Sequence, residues 1–244
     1  MSAAGLVGLL AACLAVLGCG QPVAPSDRPP IAADSAPPVA SAPVASAPIV
    51  DPLPIEVVES GFSAFVADGD DVASFGVVLR NPNDAWTVSR MELFVDFFDA
   101  GGDFIGGEEV FVVLLPGQVT AIGGEAHGAG MAARMEVGIP DDTTAFAAAD
   151  PSDETFELAG VATETRDGLH VTTGSLTSRF DSVERLVQLT ALHRNAAGAV
   201  VGGAAGGVEA IDPGATVAFE IVDGAPHTDL GSTEVYWQLS GIGR

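Results

Sequence analysis

The chain has 244 residues and a formal net charge of −24, from 33 acidic and nine basic residues, all nine of them arginine. That charge repels phosphate and argues against a nucleic-acid partner or an anionic surface. The two cysteines, Cys13 and Cys19, both lie near the N-terminus, so the remainder has no disulfide, no thiol nucleophile and no thiolate metal ligand.

Residues 1–18 form an apolar run with no lysine or arginine, ending in Val16-Leu17-Gly18-Cys19. Its length is at the lower edge of a membrane span. Its position and the small residues before the break predict a signal peptide. The string resembles the lipobox of bacterial lipoproteins. That resemblance implies lipid on Cys19, a mature chain starting there, and a lipid-anchored protein exported to the bacterial cell envelope, with the membrane as its first partner. The missing positive n-region departs from the pattern. Leu10-Ala11-Ala12-Cys13 is a second such string, but cleavage there would leave a shorter apolar region, so Cys13 ranks behind Cys19.

Residues 19–54 hold the cysteine and a linker. Prolines crowd here, and Ser-Ala-Pro recurs at Ser35, Ser41 and Ser46. Such sequence buries no core and favours extended, disordered conformations. Its reach is on the order of 100 Å when stiff, which suits a stalk.

From residue 55 onward the pattern alternates with period two between turn signals. Ile55 to Val66, Val72 to Arg80, Val88 to Phe98, Phe104 to Leu115 and Met135 to Ile139 read as strands. The pattern then recurs. Met91, Leu93, Val95 and Phe97 correspond to Val187, Leu189, Ala191 and His193. Ile105-Gly106-Gly107 corresponds to Val201-Gly202-Gly203, and Pro116-Gly117 to Pro213-Gly214. This order predicts a duplication. The expected fold is all-β, with two tandem immunoglobulin-like β-sandwich domains over residues 55–148 and 149–244.

Val95-Asp96-Phe97-Phe98-Asp99-Ala100-Gly101-Gly102, the preceding Asn81-Pro82 and the later Leu115-Pro116-Gly117 resemble the FxLYD domain of exported bacterial proteins. Val95 and Phe98 replace two aromatics of that pattern, and the second copy keeps little of it. The resemblance implies a small β-sandwich of the cell envelope and carries over no catalytic residues.

Four histidines are present, at 127, 170, 193 and 227, and no two share a metal-ligand spacing. His193 falls on an inward strand position and reads as a tolerated core residue. His127-Gly128-Ala129-Gly130 reads as a flexible loop. No nucleophile elbow or phosphate loop occurs, and no catalytic site and no obligate cofactor are expected. Asp68, Asp70 and Asp71, in a loop between two strands, are the candidate calcium ligands, since Ca²⁺ takes six to eight oxygens. In a chain this acidic they read equally as solvated surface. The expectation is a non-catalytic envelope lipoprotein that binds another protein or an envelope component through its two modules. Calcium-dependent adhesion, or an accessory role to an envelope enzyme, is the alternative.

Overall fold

A computed structural model of the protein describes residues 51–67, 69–149 and 154–240. Cys13, Cys19, the linker up to residue 50 and Asp68 lie outside the described residues, as do 150–153. The described residues form strands and turns. In the first half these are β1 (Glu56–Ala67), β2 (Asp70–Arg80), β3 (Trp86–Phe98), β4 (Phe104–Leu114), β5 (Val119–His127), β6 (Arg134–Gly138) and β7 (Ala145–Ala148). In the second they are β8 (Phe156–Arg166), β9 (Leu169–Ser178), β10 (Glu184–Asn195), β11 (Val200–Ile211), β12 (Thr216–Asp223) and β13 (Leu230–Gln238).

The sheet orders repeat. β1-β2-β5 faces β4-β3-β6 in the first half, and β8-β9-β12 faces β11-β10-β13 in the second. β7, from the Ala-rich tract, has no counterpart and adds to the first half by pairing Phe146 with Val88 on β3. The register repeats as well. Phe97 lies opposite Gly106 and Met135, and His193 lies opposite Gly202 and Thr233. The two Pro-Gly turns also match, with Gly117 at φ 66° and Gly214 at φ 70°, the left-handed conformation that favours glycine.

The halves are packed together, and residues Ile49–Arg244 form one compact unit. β2 shows why. Every residue from Val72 to Leu79 is buried, although an outer sheet of a lone sandwich would alternate. Ala73, Phe75, Val77 and Leu79 pack on Met91, Leu93, Val95 and Phe97 inside the first half. Val78, on the other face, joins Ala121, Leu192 and Val200 in a cluster shared between the halves. Glycines let the two sheets close up. A Cβ on Gly123 would stand 3.0 Å from the Gly203 Cα, and one on Gly61 would overlap the Val200 carbonyl.

Polar groups finish this contact. Ser74 Oγ accepts from the Gly203 amide at 3.1 Å. Thr120 Oγ1 and Gln118 Nε2 donate to the Trp237 carbonyl at 2.8 and 3.0 Å. Val113 and Leu115 extend into the second core beside Phe156, Leu189 and Trp237.

The turn strings Asn81-Pro82 and Leu115-Pro116-Gly117 bind each other. Asn81 is fully buried. Its Nδ2 donates to the carbonyls of Trp86 and Leu115 at 2.7 and 2.9 Å. Its Oδ1 accepts from the Asn83 amide and side chain at 3.1 and 2.9 Å. One side chain thereby ties four polar groups into one network, in which the Leu115 carbonyl also accepts from the Gln118 amide at 3.1 Å and Asn83 Nδ2 also donates to the Leu53 carbonyl at 2.9 Å.

Candidate metal centre

Four titratable side chains from separate segments converge at one end of the second sandwich. His170 and Asp223 are a cross-strand pair on β9 and β12. His193 lies two residues from the end of β10, and His227 follows Asp223 in the turn before β13. His193 has no solvent exposure and Asp223 has 2%. His227 is buried too, and His170 is half-buried, between the cluster and solvent.

Asp223 is the hub. Its Oδ1 accepts from the Ala225 amide at 2.7 Å, which tightens the turn. Its Oδ2 lies 3.0 Å from His227 Nε2, in hydrogen-bond geometry. The same Oδ2 lies 2.8 Å from His193 Nε2, but off the line a hydrogen bond needs, and that nitrogen has no hydrogen-bond partner. The far side of each ring is held. His193 Nδ1 lies 3.0 Å from Thr233 Oγ1, and His227 Nδ1 lies 3.4 Å from Ser63 Oγ on β1 of the first half. Gly202 leaves room for His227, since a Cβ there would stand 2.6 Å from the His227 Cε1.

Burial pushes the Asp223 carboxyl up, but the nitrogens of His193 and His227 and the Ala225 amide pull harder, holding it well below the usual carboxylate range. It is an anion in a nearly dry site. Burial, then the neighbouring His227, lowers the pKa of His170 against an opposing pull from Asp223, so the neutral ring with a free lone pair is favoured. One ligand atom from each of His193, Asp223 and His227 lies within 4.8 Å of the others. The ring centroids stand 4.9 Å apart for His193 and His227, 5.8 Å for His170 and His227, and 6.3 Å for His170 and His193.

The residues singled out from sequence fare differently. Asp70 and Asp71 are exposed neighbours on β2, so their side chains leave opposite faces of the strand. Among the described residues they join no group of three convergent ligands. The segment from His127 to Gly130 is packed rather than flexible. The Gly128 amide donates to the Asp71 carbonyl at 2.6 Å, and Ala129 is fully buried. His193 is a core residue as expected, yet it is one wall of a polar cluster. Spacing along the chain hides that cluster, because its members come from three strands and a turn. One signal was legible: a histidine stands where the first copy has Phe97.

The fold and this cluster define a class: an all-β protein of two fused sandwiches with a buried histidine-carboxylate centre. The chain matches no protein-family model and no curated protein.

Proposed function

We propose that the protein is a lipid-anchored, non-catalytic module of the bacterial cell envelope, held off the membrane on a stalk and binding another envelope protein. The observation that carries this reading is the order of parts. A lipobox-like string ends at Cys19, a Pro/Ala/Ser tract follows, and a compact all-β body comes after it, with its first strand starting at Glu56. Acyl chains on Cys19 would hold the body at the membrane, at about 0.8 kcal/mol per buried CH₂. The FxLYD-like strings fit the same setting. They build the buried Asn81 network and its Pro-Gly turn, a framework role rather than a catalytic one.

Binding falls to the sheet edges. β4 ends its sheet and exposes Phe104 and Phe111. Phe111 and Arg90, whose guanidinium lies 4.8 Å from the Phe111 ring centre, line a groove of about 550 Å³ between β4 and Gln188, Leu239 and Ser240 of the second half. An extended segment of a partner adds to such an edge through main-chain hydrogen bonds, with side-chain pockets supplying selectivity.

Two measurements test this. Intact mass of the membrane fraction should show a chain starting at Cys19 with added acyl mass, and Cys19→Ala should abolish both acylation and membrane retention. A retained Met1, or Cys19→Ala still acylated and membrane-bound, overturns the anchor. A photo-crosslinker at Phe111 on intact cells should trap a discrete envelope protein, whereas one at Asp141 should not. Equal labelling at both positions overturns the β4 edge as the binding surface.

A further inference from the structure

We propose that His193, Asp223 and His227, with His170 as fourth ligand, bind one divalent transition-metal ion, zinc being the best match. The proposal is independent of the membrane anchor and of the β4 edge.

The argument begins with where protons can sit. With its proton on Nδ1, donated to Thr233, His193 leaves an unprotonated Nε2 only 2.8 Å from an anionic oxygen, with no proton between them. Two electron-rich atoms that close repel, and in a dry site little screens them. With the proton on Nε2 instead, two imidazole N–H groups converge on Asp223 Oδ2, and that of His193 is out of line. A cation removes both conflicts, because it takes a lone pair from each atom and leaves each Nδ1–H for its hydroxyl partner. Thr233 and Ser63 then serve as the outer hydrogen-bond partners that fix the ring orientation of metal-bound histidines. The ion also balances Asp223, whose own hydrogen-bond and ion-pair partners include no arginine.

Distances agree. Rings that share one zinc through nitrogen stand roughly 5 Å apart, centre to centre. His193 and His227 already stand at 4.9 Å, whereas His170, at 5.8 and 6.3 Å from them, has to move inward by about 1 Å. Two donors about 2.1 Å from a tetrahedral ion lie roughly 3.4 Å apart. The nitrogens now 2.8 and 3.0 Å from Oδ2 would therefore part by about half an ångström. The donor set decides the ion. Imidazole nitrogen with one carboxylate suits zinc and its neighbours, not calcium or magnesium, which want oxygen. His170, half-buried beside this group of three, would have to turn its ring to complete the set.

The second copy therefore converts a hydrophobic position into a ligand. The test uses the full chain with a histidine-free tag, stripped with chelator, given Zn²⁺ alone and desalted. About one zinc per chain should be retained, and Co²⁺ in its place should give the intense visible bands of a tetrahedral site. His193→Phe, which restores the residue of the first copy, and Asp223→Asn should each lower zinc affinity at least about tenfold. His127→Gln should not. Failure of the parent chain to retain zinc overturns the site. So does equal retention by parent, His193→Phe and Asp223→Asn, which would place the ion on the acidic surface. Should the variants not fold, the cobalt spectrum of the parent decides: tetrahedral bands support the site, and a weak octahedral spectrum overturns it.

Discussion

His193 occupies in the second half the place that Phe97 occupies in the first. Each is fully buried on the central strand of its sheet, and each faces a glycine on one neighbouring strand, Gly202 or Gly106. Phe97 packs edge-on against Phe62, ring centres 5.7 Å apart. His193 meets Asp223 and two further imidazoles. One register thus serves a hydrophobic contact in one copy and a polar centre in the other.

The Asp223 cluster should make the protein sensitive to acid. The folded carboxyl titrates below its unfolded value of about 3.9, so its contribution is complete above that pH and is lost as the pH falls through it. The folded pKa of His170 is also lowered, so stability should begin to drop below the unfolded histidine value of about 6.5. Urea midpoints measured in chelator should fall as the pH drops below about 6.5, and fall again below about pH 3.9 as Asp223 takes a proton. A midpoint that rises on acidification would contradict the assignment. Asp223→Asn should cost about 2 kcal/mol at neutral pH, because the Ala225 amide and His227 lose a charged acceptor.

Contact between the two inner sheets depends on glycine. Gly61→Ala places a methyl group against the Val200 backbone, which cannot swing aside as a side chain can. We expect a loss of about 2 kcal/mol or more. Gly138→Ala, with nothing within 4 Å of its Cβ position, should stay within about 0.5 kcal/mol of the parent. Denaturant melts of both variants check this, and equal stability would show that the sheets can separate freely.

Asn81→Ala should be among the most damaging single changes in the first half. It strips the Asn81 donor from the Trp86 carbonyl and the Asn81 acceptor from the Asn83 amide, while the Leu115 carbonyl keeps the Gln118 amide and Asn83 Nδ2 keeps the Leu53 carbonyl. Each buried polar group left unpaired costs about 1–3 kcal/mol. Hydrogen exchange should show the Gly117 amide, which donates to Asn83 at 3.0 Å, losing protection first. Unchanged exchange there would mean that the turn holds without Asn81.

Arg194 on β10 ties the second half to Glu59 on β1. Its Nη1 donates to Glu59 Oε2 at 2.8 Å, and its Nη2 reaches both Glu59 and Glu234. The hydrogen bond from Arg194 holds the Glu59 carboxyl below its ordinary value. Glu59 is partly exposed, so solvent screens the pair. A double-mutant cycle of Arg194→Ala and Glu59→Gln should give a coupling of about 1 kcal/mol that shrinks in high salt. Coupling near zero at low salt would reduce the pair to a surface contact.

Much of the architecture was legible in the chain. Alternation located β1, β3, β4 and β6, because a half-buried strand must show period two, while β5 and the short β7 went unnamed. The spacing between Met91–Phe97 and Val187–His193 carried the duplicated register, since one residue of slip would turn each core side chain to the other face. The Pro-Gly strings marked turns, because Gly117 and Gly214 need a left-handed backbone. Tertiary structure alone decided the rest. The eight buried residues of β2 come from a second sheet packing on its outer face, a contact that local periodicity does not encode. Asp70 and Asp71, adjacent in sequence, diverge because neighbours on a strand point apart. His170, His193, Asp223 and His227, far apart in sequence, converge because strand pairing brings His170 beside Asp223 and sheet stacking sets His193 over them. Chain spacing reports ligands carried on one helix or loop; a site assembled from three strands and a turn exists only once the sheets have packed.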